Sequence, residues 1–593
     1  MTDARSMPDG AEPRDGAIPF HLPGGAEPRD GAIPFHLPGG EEPRDGAIPF
    51  HLPGGEEPRD GAIPFHPPED VARYRAEGEW GDETLSGVIA RNAAERGDAP
   101  ALIGDRGALT WAEYDALGDA LAGLLAGSGF ESGAPLAVLL PDGPSVHVAY
   151  LACERAGHPI VAVAYRSGPG EIAHLLRRTR AAAVITHDTF GREPIAALHE
   201  HLVEAGLGDV HHLVLPDLAV DGLTGASLDG AGRPRPATPA APIGPDGLYL
   251  INSTSGTTGL PKCVVHNQNR WFSFARMAIE AGGFGPDEVV LSAVPSPYGF
   301  GLWSAHWVPA LLGCPTVLME RFEVERMLEL LERHRVTFLA CVTTQMMMML
   351  GSPSFEERDL GALRTVFTGG EAVSAEAAAR FEATTGAQVL QFYGSNENGA
   401  ISVTSHGDPR EQRLGTAGRP IAAMNVRLYD GERDVTATGG PGQVASRGPT
   451  GCLGYYDDPE ANAELLNADG WMLSGDLAEI GPDGFLRLTG RASDLIIRGG
   501  KNISAVAVEA EASTHAAIAL AAAIPAPDPI FGERVCLCVE LVPGASLTLE
   551  ELCDHMRARG VSREWLPERL EILDEMPRSA GEKVAKAELR KLV

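Results

Sequence analysis

This sequence predicts an α/β architecture divided between at least two domains, and three observations support that reading. The chain has 593 residues, more than one hydrophobic core normally organises. From about Val71 onward, helix-period segments alternate with short apolar runs such as Leu136-Ala-Val-Leu-Leu140 and Ala182-Ala-Val-Ile-Thr186, the alternation that layered helices and strands produce. Several of those runs open onto turns rich in Gly, Ser and Thr, where α/β folds turn free backbone donors toward ligands.

The bulk composition agrees with a folded body: 44% of residues are hydrophobic and 22% charged, ordinary for soluble chains. A formal net charge of −33 repels phosphate backbones and anionic membrane surfaces, which excludes nucleic acid and lipid headgroups as natural partners. A triphosphate site in such a chain must supply its own lysine, arginine, backbone N–H groups and metal. The eight cysteines, Cys153, Cys263, Cys314, Cys341, Cys452, Cys536, Cys538 and Cys553, form no CxxC and no zinc spacing, which suits a reducing compartment. The start lacks a basic segment followed by an apolar core, and no uncharged run reaches transmembrane length. These features predict a cytoplasmic protein.

Residues 1–68 are set apart by a tandem repeat, EPRDGAIPFHLPGG, whose Pro13, Pro28, Pro43 and Pro58 recur every fifteen residues. With Pro and Gly dense in every copy and no amphipathic stretch, a unit cannot build a packed face, so the segment is expected to be disordered. A competing reading is a docking motif displayed four times for avidity, since Ile-Pro-Phe-His returns in each copy.

The strongest chemical signal is Leu248-Tyr-Leu-Ile-Asn-Ser-Thr-Ser-Gly-Thr-Thr-Gly-Leu-Pro-Lys262, a strand-like run opening onto hydroxyls and glycines and closing on lysine. Gly256 and Gly259 let backbone N–H groups approach phosphate oxygens, Thr254, Ser255, Thr257 and Thr258 add hydroxyl donors, and Lys262 adds charge. It is not a Walker loop, because no GK[ST] follows the glycines.

STSGTTGLPK resembles the signature loop of the adenylate-forming superfamily, which includes acyl-CoA synthetases and aryl-acid ligases. Further motifs follow in the family's order: Leu109-Thr-Trp-Ala-Glu-Tyr114, Phe392-Tyr-Gly-Ser-Asn-Glu397, Trp471-Met-Leu-Ser-Gly-Asp476, Gly490-Arg-Ala-Ser-Asp494, Arg498-Gly-Gly-Lys-Asn-Ile503 and Pro577-Arg-Ser-Ala-Gly-Glu-Lys583. The resemblance implies a large N-terminal domain (69–493) of two sheets with helices plus a small β-barrel-like part. It also implies a small mobile α+β domain (494–593) that swings about a hinge at Asp494. The implied reaction uses ATP and Mg²⁺ to turn a carboxylic acid into acyl-AMP and pyrophosphate, then forms a thioester with coenzyme A.

Roles carried over by resemblance fall on matching positions. Lys583 bridges the acid and the α-phosphate. Glu397 and Thr257 hold Mg²⁺, and Asn396, where the family usually has Thr, donates beside the phosphates. Tyr393, Gly370, Glu371 and Ala372 border the adenine, and Asp476 with Arg491 clamps the ribose. Arg498, Gly499, Gly500 and Lys501 meet coenzyme A. Glu582 stands where glycine usually precedes the lysine, Cys263 where glycine follows the loop lysine, and Ala507 where Glu is usual.

The stretch Val71–Leu85 resembles the opening of aryl-acid AMP ligases and cyclohexanecarboxylate-type CoA ligases. Tyr298, Phe300, Trp303, Gly369 and Gly394 are the expected acyl-pocket residues. Gly299 falls where 2-hydroxybenzoate ligases carry an asparagine, so no ortho hydroxyl is read there. The expected substrate is an alicyclic, aromatic or medium-chain acid. Met346–Met349 point all round a helix, and core packing is expected to claim most of them. Three alternatives stay open: a ligase loading a carrier protein in trans, a catalytically silent acyl- or nucleotide-binding homologue, and a scaffold built on the repeats. A homodimer is compatible with all of them.

Overall fold

The computed structural model describes residues 66–190, 193–224, 226–229, 241–254, 261–370, 375–491, 495–498, 501–578 and 584–591. The expected repeat segment therefore lies outside the described residues except at its end. His66 and Pro68, read from sequence as part of the 1–68 segment, belong to the folded body. His66 is 3% exposed, with its ring 5.1 Å from Trp80 and 5.8 Å from Tyr74, and its Nε2 meets Gly451 O at 3.2 Å. Pro68 then begins the helix Pro68–Ala76, a first-turn position that needs no N–H.

Two large sheets contribute to one hydrophobic core. In the first, the strand order is Gly454–Tyr455, Cys263–His266, Leu250–Ser253, Ile160–Ala162, Leu136–Val138, Ala183–Thr186, His211–Val214 and Ser227–Asp229. The second runs Arg419–Pro420, Gly399–Val403, Gln388–Ser395, Thr365–Gly369, Phe338–Ala340, Val290–Ser292, Thr316–Val317, Pro100–Ile103 and Ala108–Thr110. Its central pairs are parallel and its edge pairs antiparallel. Helices Pro144–Arg155 and Gln268–Gly282 pack with apolar residues of both sheets in one core and are buried nearly all round, as a helix between two layers must be.

Local chemistry explains several boundaries. The Leu109–Tyr114 motif is a helix start: Glu113 N donates to Thr110 Oγ1 at 3.3 Å while Thr110 N donates to Glu113 Oε2 at 2.9 Å, a capping box. Leu109, Trp111 and Tyr114 are buried, so the motif is architectural. The four methionines divide as a helix requires. Met346 and Met349 enter the core with Leu330 and Phe381. Met347 and Met348 line a cavity of about 330 Å³ shared with Leu520, Glu540 and Arg578.

A third sheet, Arg433–Asp434, Asn425–Asp430, Gly442–Arg447, Met472–Ile480 and Leu486–Arg491, is wholly antiparallel and takes the place of the expected barrel-like part. A last sheet carries the C-terminal α+β portion. It contains Lys501–Ser504, Leu495–Arg498, Gly532–Leu541 and Ile518–Asp528, with Arg569–Ile572 beside Gly532–Leu541, and helices Ala505–Ala512 and Leu549–Ala558 accompany it. These layers match the α/β architecture with a large N-terminal and a small C-terminal domain.

Candidate functional site

Several candidate residues lie at the carboxyl ends of strands: Thr254 follows Leu250–Ser253, Gly369 ends Thr365–Gly369 with Gly370 next, and Gly394 lies near the end of Gln388–Ser395, where an α/β fold leaves backbone groups free for ligands. Leu250–Ser253 pairs antiparallel with Cys263–His266, and Thr254 N donates to Lys262 O at 3.0 Å, closing the ladder. That bond pins both ends of the hydroxyl-and-glycine loop. Ser255, Gly256, Thr257, Thr258 and Gly259 lie outside the described residues, as do Glu371, Ala372, Asp494, Gly499, Gly500 and Lys583; of Lys501 only the backbone is described.

Strand pairing brings three distant motifs together. Val264 lies opposite Tyr455, and Lys262, two residues earlier, extends its ammonium over the Tyr455 ring, 4.9 Å from the centroid, a cation–π contact. The Tyr455 phenol donates to Glu397 Oε1 at 2.7 Å. Burial raises the Tyr455 pKa, and the Glu397 carboxylate raises it further, so the phenol stays protonated and keeps donating. Glu397 Oε2 accepts no hydrogen bond among the described residues. A hard carboxylate oxygen left open suits Mg²⁺, which prefers one or two carboxylates plus phosphate oxygens to a complete protein cage. No group of three or more His, Cys, Asp or Glu forms such a cage among the described residues.

Tyr393 and Asp476 form a second unit. The Tyr393 phenol oxygen lies 2.8 Å from Asp476 Oδ2 and 2.9 Å from Ser474 Oγ, while Arg491 Nε donates to Asp476 Oδ1 at 2.8 Å. Asp476 is 6% exposed, a buried carboxylate held from two sides. Burial and then Asp476 push the Tyr393 pKa well up. The Tyr393 ring packs with Ile401, Leu428 and Val444.

Glycines here answer to the backbone as well as to any substrate. A Cβ at Gly394 would stand 1.8 Å from Gly399 O, and one at Gly369 2.6 Å from the Phe392 ring. At Gly299 a Cβ would come within 3.3 Å of both Asn396 Oδ1 and Trp271, so a larger residue there forces a neighbour to move. Gly370 sits at φ +80°, where L side chains are strained.

The expected acyl residues form an aromatic stack. Phe300 lies parallel to Trp303 at 5.4 Å and edge-on to Phe392 at 4.7 Å. Trp303, at the start of the π-helical turn Trp303–Trp307, is wholly buried against Phe274, Phe338 and Phe367. Phe300 and Tyr298 are half-buried, so Phe300 is the exposed face of the stack. In the C-terminal portion, Arg498 is committed to Glu568 through bonds of 2.7 and 3.1 Å and lies 4.7 Å from the Phe531 centroid. Beyond it, Arg578 and Val584 bridge antiparallel and Ala585 N donates to Pro577 O at 2.7 Å, pinching the loop that contains Lys583.

Sequence reasoning missed Tyr455, Asn252, His266 and Arg270. Asn252 had a signal, a polar residue inside an apolar strand; the pairing that recruits Tyr455 had none in the local sequence.

Fold and site together define a two-domain, nucleotide-handling α/β enzyme of the adenylate-forming class. Residues 89–456 match the AMP-binding enzyme profile, and residues 507–583 that of the AMP-binding enzyme C-terminal domain; the chain belongs to this family. It is 30% identical over 524 residues to the medium-chain fatty-acid–CoA ligase of Escherichia coli K12, covering 88% of this chain and 92% of that one. It is 32% identical over 539 residues to the 2-hydroxy-7-methoxy-5-methyl-1-naphthoate–CoA ligase of Streptomyces carzinostaticus, covering 88% and 96%. The crystal structure of an anthranilate CoA ligase in complex with anthranoyl-AMP has the same fold, with a TM-score of 0.78, 22% identity, and 86% and 97% coverage. Among the described residues no helix is long and apolar enough to cross a membrane.

Proposed function

We propose that this chain is an acid–thiol ligase of the acyl-CoA synthetase type. A carboxylate oxygen of the acid attacks the α-phosphorus of ATP and pyrophosphate leaves. The coenzyme A sulfur then attacks the acyl carbonyl, AMP leaves with its phosphate, and the thiol proton passes to solvent. Loop 254–262 grips the phosphates, Glu397 with Thr257 would hold Mg²⁺, and the ion screens phosphate charge when bound. Asp476 and Arg491 orient the ribose, and Lys583 neutralises the oxygens between which the acyl–phosphate bond forms. The observation that carries this reading is the contact chain from Lys262 through Tyr455 to Glu397, which joins the end of the phosphate loop to the candidate metal carboxylate.

The acid is read as alicyclic, aromatic or medium-chain, because half-buried Phe300 and Tyr298 present aromatic rings beside the stack on Trp303. Two of the chain's relatives are named as CoA ligases, for a medium-chain fatty acid and a substituted naphthoate, which supports coenzyme A as the acceptor. To meet a coenzyme A phosphate, Arg498 must first leave Glu568. All eight cysteines are buried and unpaired, which supports a reducing, cytoplasmic setting.

The test separates the two half-reactions. Acid-dependent exchange of pyrophosphate into ATP reads the first, and conversion of supplied acyl-AMP to thioester reads the second. Lys583→Ala should lower exchange by a hundred- to a thousand-fold, the equivalent of about 3–4 kcal/mol, while leaving the second half within a few-fold. An equal loss in both halves refutes the role given to Lys583. Thioester formed only on a carrier protein refutes coenzyme A as acceptor.

A further inference from the structure

Asn396 stands where the resemblance leads one to expect threonine, and the structure places an unusual support behind it. Its amide lies against that of Asn252: Asn252 Nδ2 donates to Asn396 Oδ1 at 3.1 Å, and Asn396 Nδ2 donates to Asn252 Oδ1 at 2.6 Å. Asn252, 2% exposed, sits in the strand that feeds the phosphate loop. Its other amide proton goes to Pro297 O at 3.2 Å, and its oxygen also lies 2.7 Å from His266 Nε2. A side-chain amide offers two donors and two acceptor positions, and Asn252 uses all four.

The direction of every bond in this group is dictated from one end. Arg270, 1% exposed, has only donors, and its Nη1 faces His266 Nδ1. Nδ1 must therefore be the bare acceptor and Nε2 must carry the imidazole proton. That proton requires Asn252 Oδ1 opposite it, and Pro297 O independently requires Asn252 Nδ2 on the other side. The two requirements agree, so Asn252 offers Asn396 an N–H and an oxygen in one sense only. Arg270 also fixes the backbone, donating to Asn396 O at 2.9 Å and Thr450 O at 2.8 Å. Burial, reinforced by Arg270, holds the His266 pKa well below its usual range, so the imidazole stays neutral and the relay does not reverse on mild acidification.

We propose that Asn252, His266 and Arg270 are positioning residues that orient the Asn396 amide, so that its second N–H, which has no acceptor among the described residues, is presented to a phosphate oxygen during adenylation. This rests on the ligase reading above. A threonine hydroxyl rotates about its own bond and needs no such direction, whereas an asparagine amide presents a donor or an acceptor depending on which way it is turned. The replacement at 396 and the polar residue at 252 thus form one device.

Pyrophosphate exchange is measured for the wild-type chain, Asn252→Ala, Asn396→Thr and the double variant, with kcat and the KM for ATP resolved separately. Asn252→Ala should lower kcat at least tenfold with KM changed less than threefold, because the donor acts in the transition state. In the Asn396→Thr background the same substitution should lower kcat less than threefold. If Asn252→Ala does not fold, His266→Leu in both backgrounds reads the same coupling, and His266→Gln, which keeps a donor and an acceptor, should restore at least half of the rate lost. Equal losses in the two backgrounds, or no loss beside Asn396, overturn the relay while leaving the ligase reading standing. Absence of exchange with every acid by the wild-type chain overturns both.

Discussion

Replacing Tyr393 by Phe removes one oxygen and keeps the ring, so its consequence can be worked from the geometry. Asp476 is nearly buried, with Oδ2 held by the Tyr393 phenol at 2.8 Å and Oδ1 by Arg491 at 2.8 Å. A carboxylate has about four lone-pair directions. Two are spent on these partners and two remain, enough for the two hydroxyls of a ribose. In the proposed ribose site the phenol therefore would not compete with nucleotide; it sets the plane in which the remaining lone pairs point. A hydrogen bond to a charged group is worth about 1.5–3 kcal/mol, and about 1.4 kcal/mol is tenfold. Tyr393→Phe should thus reduce kcat/KM for ATP roughly ten- to a hundred-fold in pyrophosphate exchange, with the KM for the acid unchanged. Ser474→Ala, which leaves the phenol–carboxylate bond in place, should have a smaller effect. A Tyr393→Phe enzyme with wild-type dependence on ATP and only a lowered melting temperature would refute the reasoning, because the bond would then serve packing alone.

Two other outcomes follow from burial and from the aromatic stack. Burial lowers the His66 pKa to about 4, from about 6.5, so the unfolded chain binds a proton that the folded chain refuses; stability from this group is present above about pH 6.5 and is lost as pH falls toward 4. The span corresponds to about 3 kcal/mol, and His66→Phe should flatten the decline in unfolding free energy over that window by about one proton; an unchanged slope would show that His66 is solvated. Phe300→Ala removes the exposed face of the stack on Trp303, and kcat/KM for an acid larger by a ring, relative to the best wild-type acid, should rise tenfold or more. A preference left unchanged would remove Phe300 from the wall of the acyl site.

Elements defined by local chemistry were readable in advance, and elements defined by distant pairing were not. The apolar runs at 136–140 and 182–186 become Leu136–Val138 and Ala183–Thr186, because a parallel strand covered on both faces needs a continuous apolar run. The Thr-x-x-Glu at 110–113 announces a helix start as well as a family motif. By contrast, His66 shares the sequence Ile-Pro-Phe-His with three other copies. It is the later Tyr74, Trp80 and Gly451 that bury it, and no reading of the repeat alone reveals them. The meeting of Lys262, Tyr455 and Glu397 likewise depends on Gly454–Tyr455 pairing with Cys263–His266, a decision of the sheet that local periodicity does not encode.

The charge arrangement has a mechanistic consequence. In a chain of net charge −33, the described cations around the candidate site are mostly already engaged: Arg491 by Asp476, Arg498 by Glu568, and Arg270 by carbonyl oxygens and His266. Lys262 instead rests over a neutral ring, and among the described residues it makes no ion pair. Turning from the Tyr455 face to a phosphate costs it a cation–π contact of about 0.5–1 kcal/mol at an exposed site, less than breaking a buried carboxylate pair. The loop proposed to bind phosphate therefore ends on a cation held in reserve beside the carboxylate proposed to hold the metal. On the proposed ligase reading, nucleotide binding would redistribute existing contacts, releasing Lys262 from Tyr455 while the Tyr455 phenol keeps its bond to Glu397.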